Sequence, residues 1–176
     1  VPWLLFAVIS RRDTAEAAVV VGLIGAVAVA LPGVLHGRPK ILELGTIAFF
    51  VLFGVIVFAV DPGANDFLTR YARAIATAGL ALIAFGSLAL GSPFTAQYAR
   101  EQVDRSVWDT ATFASLNRRF TALWGAVFLA MACSHVVAGA IDTRRAETIF
   151  NWVIPIALVV LAVRYMQASR ESARAA

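Results

Sequence analysis

The chain has 176 residues, 60% of them hydrophobic, and a mean hydropathy of +0.79. Its apolar residues come in long unbroken runs rather than on alternating faces, which excludes an ordinary soluble domain and makes lipid the expected solvent. The formal net charge is +4, yet the basic residues sit at the ends of apolar runs, so anionic lipid headgroups account for them and no nucleic acid partner is expected.

Val1–Ser10 is apolar and about 15 Å long if helical, half a bilayer. It lacks an A-x-A-like exit, so it reads as a re-entrant or interfacial piece with Trp3 at headgroup depth rather than a signal peptide. The absence of an initial methionine reads as processing or trimming at that end. Arg11, Arg12 and Asp13 must reach water, and the Thr14–Glu16 neighbourhood starts the first span, residues 16–35. There Ala18, Gly22, Ala26 and Ala30 recur every fourth residue and form one smooth stripe, which lets helix backbones approach closely. This helix is expected at the centre of the bundle.

His36–Lys40 is a turn in which Pro39 holds Arg38 extended. The second span covers residues 41–60, with Gly54 near its middle and Glu43 one turn in, where it pairs with Lys40 or Arg38. Asp61–Asp66 is a strong turn signal. A third span over residues 67–90 carries Arg70 and Arg73 in its first turns, placed to snorkel outward. Ala76, Gly79, Ala84 and Gly86 make it a second close-packing helix.

Residues 92–119 are the longest interval that cannot sit in hydrocarbon. They read as an interfacial amphipathic segment lying on the membrane surface. Ser92-Pro93 supplies an N-cap and first helical residue. Phe94 and Tyr98 share one face, Arg100, Glu101, Asp104 and Arg105 the others, and Ser106 caps a second start. Phe113, Leu116 and Phe120 form one apolar seam. Gln97, Tyr98, Arg100 and Glu101 are the best polar cluster. With Arg105, Trp108, Arg118 and Arg119 they are the candidate contacts for a lipid headgroup or a partner protein; the plainer alternative is a wet polar face. A fourth span follows over residues 120–141, then a polar turn at Asp142–Glu147. The fifth span covers residues 148–163, with Trp152 near its start and Pro155 in its second turn. The tail beyond Arg164 is expected to fray.

Five spans put the two ends of the chain on opposite sides. Arg11, Arg12, Arg70, Arg73, Arg144 and Arg145 fall on one side. Arg38, Lys40, Arg100, Arg105, Arg118, Arg119, Arg164, Arg170 and Arg174 fall on the other, which the positive-inside rule assigns to the cytoplasm together with the C-terminus.

Chemistry has few places to go. There is no phosphate-binding glycine loop, nucleophile elbow or zinc-protease motif. The lone Cys133, set among small residues, reads as a packing residue and excludes an internal disulfide. His135 is the one ionisable side chain deep in a span, which makes it a functional candidate by default. It shares a helix face with Thr121, Trp124, Phe128 and Met131, and with Trp124 it marks a candidate intramembrane polar site. The bland alternative is a neutral imidazole bonded to a neighbouring helix. A b-type haem needs a second axial histidine, for which His36 is the sole candidate, so no cofactor is expected.

Pro2-Trp3 ahead of an apolar run, Gly37-Arg38-Pro39-Lys40-Ile41-Leu42-Glu43-Leu44-Gly45 opening a span, the Pro93–Glu101 run, and then Trp108, Asn117 and Trp124 carry a resemblance. The chain resembles small bacterial membrane proteins of the intracellular septation protein A type and their uncharacterised relatives. The resemblance implies a five-span inner-membrane protein linked to envelope maintenance and supplies no catalytic residues. The expectation is therefore an all-α polytopic transmembrane bundle of five spans, with a short N-terminal half-helix and one interfacial segment. Its leading function is a non-enzymatic scaffold or accessory subunit that associates with itself or with other membrane subunits through small-residue stripes. The alternatives are a small transporter or lipid-handling protein near His135, and a haem protein.

Overall fold

The computed structural model describes residues 2–9, 15–60 and 67–175. The expectations for Arg11 to Thr14 and for the Asp61–Asp66 turn lie outside the described residues. Among the described residues every regular element is helical: α1 (Pro2–Ile9), α2 (Ala15–Leu35), α3 (Ile41–Ala59), α4 (Ala72–Ala89), α5 (Phe94–Ala99), α6 (Ala111–Ile141), α7 (Arg144–Thr148), a π-helical turn (Ile149–Val153) and α8 (Ile154–Ala175). A single 3₁₀ turn, Arg105–Val107, lies between α5 and α6. Five helices are long and apolar enough to cross a membrane: α2, α3, α4, α6 and the continuous rod made of α7, the π turn and α8. The chain is an all-α, multi-pass bundle.

Neighbours in sequence are neighbours in space. α2 packs on α3, α3 on α4, α4 most extensively on α6, and α6 on α8. Lipid gives no hydrophobic drive between helices, so close steric fit must hold them together. The fit here is ring into glycine. A Cβ at Gly22 of α2 would run into the Phe50 ring of α3. Gly79 of α4 likewise receives Phe49, Gly125 of α6 receives Phe85, and Gly139 of α6 receives Tyr71, the last two with ring atoms 2.8 and 2.7 Å from where a Cβ would lie. Ala18, Gly22, Ala26 and Ala30 are all buried, and α1 and α3 occupy the faces of α2. α2 is not the central helix, however. Half of the apolar window of α4 is buried against 28% for α2 and 17% for the α7–α8 rod. α4 carries small residues on several sides (Ala72, Ala74, Thr77, Gly79, Ala81, Ala84), whereas the stripe on α2 is one narrow face.

α1 is packed into the bundle. Trp3 is half-buried against α3: its indole N–H donates to Thr46 Oγ1 at 3.1 Å, and Thr46 Oγ1 donates to Leu42 O at 2.6 Å. Trp3 and Phe6 stack into Phe49, Phe50 and Phe53 with ring centroids 4.9–5.8 Å apart. A tryptophan favours the interface because its N–H wants water, and Thr46 removes that need.

Two ion pairs tie one end of the bundle. Arg70 pairs with Asp142, and Arg73 meets Glu147 at 3.4 Å, so both arginines are used between helices rather than spent on snorkelling. Asp142 closes α6 in the left-handed region (φ 50°), a conformation Asp tolerates better than most residues. At the other end Lys40 reaches Glu101 at 2.9 Å.

The segment after α4 is also less free than its amphipathic pattern suggests. α5 is held by its neighbours: Phe94 N–H donates to Ser87 Oγ of α4 at 3.2 Å, and Thr95 Oγ1 meets Thr121 Oγ1 of α6 at 2.8 Å and Asn117 O at 2.9 Å. The orphan amides of a helix start are thus met partly from other helices, not by Ser92. Thr110, not Ser106, caps α6, accepting from Phe113 N–H at 3.2 Å. Residues 111–119 therefore continue the fourth span instead of lying flat beneath it. α8 likewise runs to Ala175 where a frayed tail was expected, and its later turns pack beside the start of α6, with Arg170 over the Phe120 ring at 5.6 Å.

Candidate functional site

The sequence proposes two places, one near His135 and one around Gln97–Glu101. The structure sets the first beside a cavity and uses the second as a joint between helices.

Gln97 and Tyr98 point inward onto α3, which corrects their expected exposure to headgroups. Gln97 Oε1 accepts from Ile41 N–H at 2.8 Å, capping a helix whose own N-cap residue, Lys40, has no acceptor to offer. The Tyr98 hydroxyl donates to Glu43 Oε1 at 3.4 Å, and Lys40 Nζ lies over the Tyr98 ring at 4.4 Å. Glu43 pairs with Lys40 at 3.7 Å, as its spacing suggests. Burial and the Glu43 carboxylate push the Tyr98 hydroxyl above the usual tyrosine range, so it stays a neutral donor. Farther out, Asp104 accepts from Ser106 N–H at 2.8 Å, and that bond holds its carboxyl below the ordinary range. Arg100 and Arg105 both sit over the Trp108 ring, at 5.6 and 5.3 Å. Arg118 and Arg119 are exposed on the first turns of α6.

His135 is the opposite case. It is 6% exposed, and its Nδ1 lies 2.8 Å from Asn151 Oδ1. Asn151 belongs to the π turn, whose origin is local. Ile154 N–H reaches back to Ile149 O, and Pro155 has no N–H to give to Phe150 O. Ser134 Oγ, one residue before His135, supplies the missing donor to Phe150 O at 2.7 Å. Two neighbouring side chains of α6 thus hold the irregular turn, and the turn in exchange presents Asn151 to the histidine.

Beside this pair lies a cavity of about 390 Å³ between α1, α4, α6 and the α7–α8 rod. Trp3 and Leu4 wall one side, Leu80 and Met131 another, and Ile156 and Val159 the third. The polar side chains among its lining residues are His135, Asn151, Arg73 and Thr77, with the indoles of Trp3 and Trp152. Arg73 lies at one end over the Trp152 ring at 5.6 Å, facing Glu147. Trp124 does not line the cavity. It stacks on Phe128 with centroids 5.5 Å apart, and eleven residues of helix, about 16 Å, separate it from His135. The expected His135–Trp124 site therefore divides, with Asn151 taking the place given to Trp124. Asn151 was missed because it looks like one polar residue at a span's edge; its sequence signal is the proline four residues later.

His36 and His135 do not come together. His36 is exposed in the α2–α3 turn, with Nδ1 2.7 Å from Pro32 O, at the end of the bundle opposite the α6–α7 turn near which His135 lies. Among the described residues no group of three His, Cys, Asp or Glu is placed to hold a metal ion. Cys133 is exposed rather than packed, on the outer face of α6. Compared with known proteins, the chain matches no family model, no curated protein and no solved structure.

Proposed function

We propose that this chain is a multi-pass protein of the bacterial cytoplasmic membrane that holds a long-chain amphiphile between its helices, a lipid-handling role without bond chemistry of its own. The observation that carries this reading is the 390 Å³ apolar cavity with a polar pair set into its wall. Binding sites for small molecules are of this kind: mostly apolar, with a few placed polar groups. A scaffold acting through the small-residue face of α2 is the weaker reading, because α1 and α3 already fill that face.

Orientation follows from charge. Arg38, Lys40, Arg100, Arg105, Arg118, Arg119, Arg164, Arg170 and Arg174 gather at one end, against Arg70, Arg73, Arg144 and Arg145 among the described residues at the other. The first group belongs to the cytoplasm by the positive-inside rule, where Arg118 and Arg119 meet anionic headgroups. The C-terminus then faces the cytoplasm. The likeness to the septation protein A type supports the same membrane and a link to envelope maintenance.

The test is purification in mild detergent followed by native mass spectrometry. A retained long-chain molecule near one per protein is expected, and Val159→Trp, which fills the cavity, releases it. A chain that arrives empty and takes up no lipid from vesicles overturns the proposal.

A further inference from the structure

The cavity has a floor and a rim of different character. Phe6 of α1 and Ala76 and Leu80 of α4 line it and are buried. Leu4 of α1 and Trp152, Ile156 and Val160 of the rod line it too, yet they are 42–70% exposed. A side chain that borders a cavity and also stays open to the surroundings stands at its mouth. The mouth thus has two lips, α1 on one side and the rod on the other. α1 packs on α2 and α4, the rod packs on α6, and α1 and α8 are not an extensively packed pair. In a spanning bundle the surroundings at that depth are acyl chains rather than water, so the mouth opens sideways into lipid. The lining comes from the first half of α4, the second half of α6 and the first half of the rod, the half of the bundle that ends at Arg144 and Arg145. Both arginines are exposed, and neither has an acidic partner among the described residues. Arg145 precedes Trp152 by seven residues, about 10 Å of helix, so a phosphate held there lies one glycerol backbone away from the mouth. At about 30 Å³ per water-sized unit, 390 Å³ holds roughly a dozen units, room for one acyl chain and too little for two.

We infer that the cavity is filled from the side by one acyl chain of a phospholipid, which enters between α1 and α8 while its phosphate stays outside at Arg144 and Arg145 and its second chain stays in the leaflet. In the orientation above, this is the leaflet away from the cytoplasm. The inference rests on the lipid-handling reading and adds to it the class of lipid and the way in.

The experiment places the whole chain in lipid nanodiscs doped with one of two probes, phosphatidylglycerol or diacylglycerol, that carry the same diazirine-bearing acyl chain. After irradiation, peptide mapping should put phosphatidylglycerol adducts on the floor, between Ala76 and Leu80 of α4. Val159→Trp should remove those adducts while adducts on outward faces persist. Phosphatidylglycerol should label the floor at least about fivefold more than diacylglycerol, the worth of one arginine near the membrane surface. Arg144→Gln together with Arg145→Gln should erase that advantage and leave diacylglycerol labelling unchanged. The two-probe comparison on the unaltered protein stands if that variant does not fold. Adducts confined to the lips and outward faces, on a protein that retains a long-chain molecule in native mass spectrometry, overturn the side entry and leave the lipid-handling reading in place. Equal floor labelling by the two probes overturns the phospholipid assignment. A protein that retains nothing and shows no floor adduct defeats both.

Discussion

At Gly22 and Gly125 the missing side chain is the point of contact. Phe50, which presses on Gly22, is 0% exposed and has nowhere to retreat, whereas Phe85 on Gly125 is 40% exposed and can swing outward. Gly22→Ala should therefore cost more than Gly125→Ala, with the former near the upper end of the roughly 1–3 kcal/mol typical of overpacking. Denaturation in mixed micelles checks the order, and equal losses would contradict the ring-into-glycine account. Tyr98 offers a pH-dependent test. Its raised pKa means the folded state resists ionisation, so the stabilisation is whole below about pH 10 and is lost as pH rises through the higher folded value. An alkaline absorbance titration should show one late tyrosinate step that is absent from Tyr98→Phe. The sequence shows the adjacency of Gln97, Tyr98 and Glu101 but not their direction, because only the fold brings Ile41 and Glu43 against them.

Elements were legible wherever an apolar run set their length. The bodies of α2, α3, α4 and α6 follow the hydrophobic stretches closely. What sequence could not give were starts that depend on another helix. Ser87 and Thr121 lie inside spans and look like minor packing residues, yet they meet the first amides of α5. The seam of Phe113, Leu116 and Phe120 showed a helix there, but Arg118 and Arg119 between it and the fourth apolar run hid that the two are one continuous helix from Ala111. The π turn was hidden for a related reason: Pro155 announces a disturbance, but its repair by Ser134 is tertiary. That repair predicts a coupling. Ser134→Ala leaves Phe150 O without a donor and should cost about 1 kcal/mol, between the water-soluble and membrane values for such bonds. In Pro155→Ala a new backbone N–H is available to Phe150 O, so Ser134→Ala should then cost little. A double-mutant cycle by denaturation measures this, and additive losses would show that the hydroxyl is not acting for the missing amide.

For the molecule as a whole, the asymmetry of burial matters most. α4 is enclosed, while α8, one wall of the cavity, touches mainly α6. Cys133 reports on the surroundings of that fold. It is exposed on α6, eight residues or about 12 Å before the helix ends. In intact membranes it should react with a lipid-soluble maleimide and resist a charged, impermeant one. Equal reaction with both would place that face in water and refute the spanning arrangement. α6 itself has 31 residues, about 46 Å, against a hydrocarbon core near 30 Å. It is therefore longer than a hydrocarbon core requires, and Arg118 and Arg119 lie in the turns by which it exceeds that length.

The turn at Ile149–Val153 has one last implication, for how the rod is phased. A π turn carries an additional residue in the screw of a helix, and each residue of that screw is worth about 100° of azimuth. Everything C-terminal to Val153 is thereby rotated relative to α7. Removing one codon there would not shorten α8 so much as spin it, turning Ile156 and Val159 out toward the acyl chains and bringing different side chains in. The identity of the chamber's far wall thus depends on the count of residues in that turn as much as on the side chains beyond it.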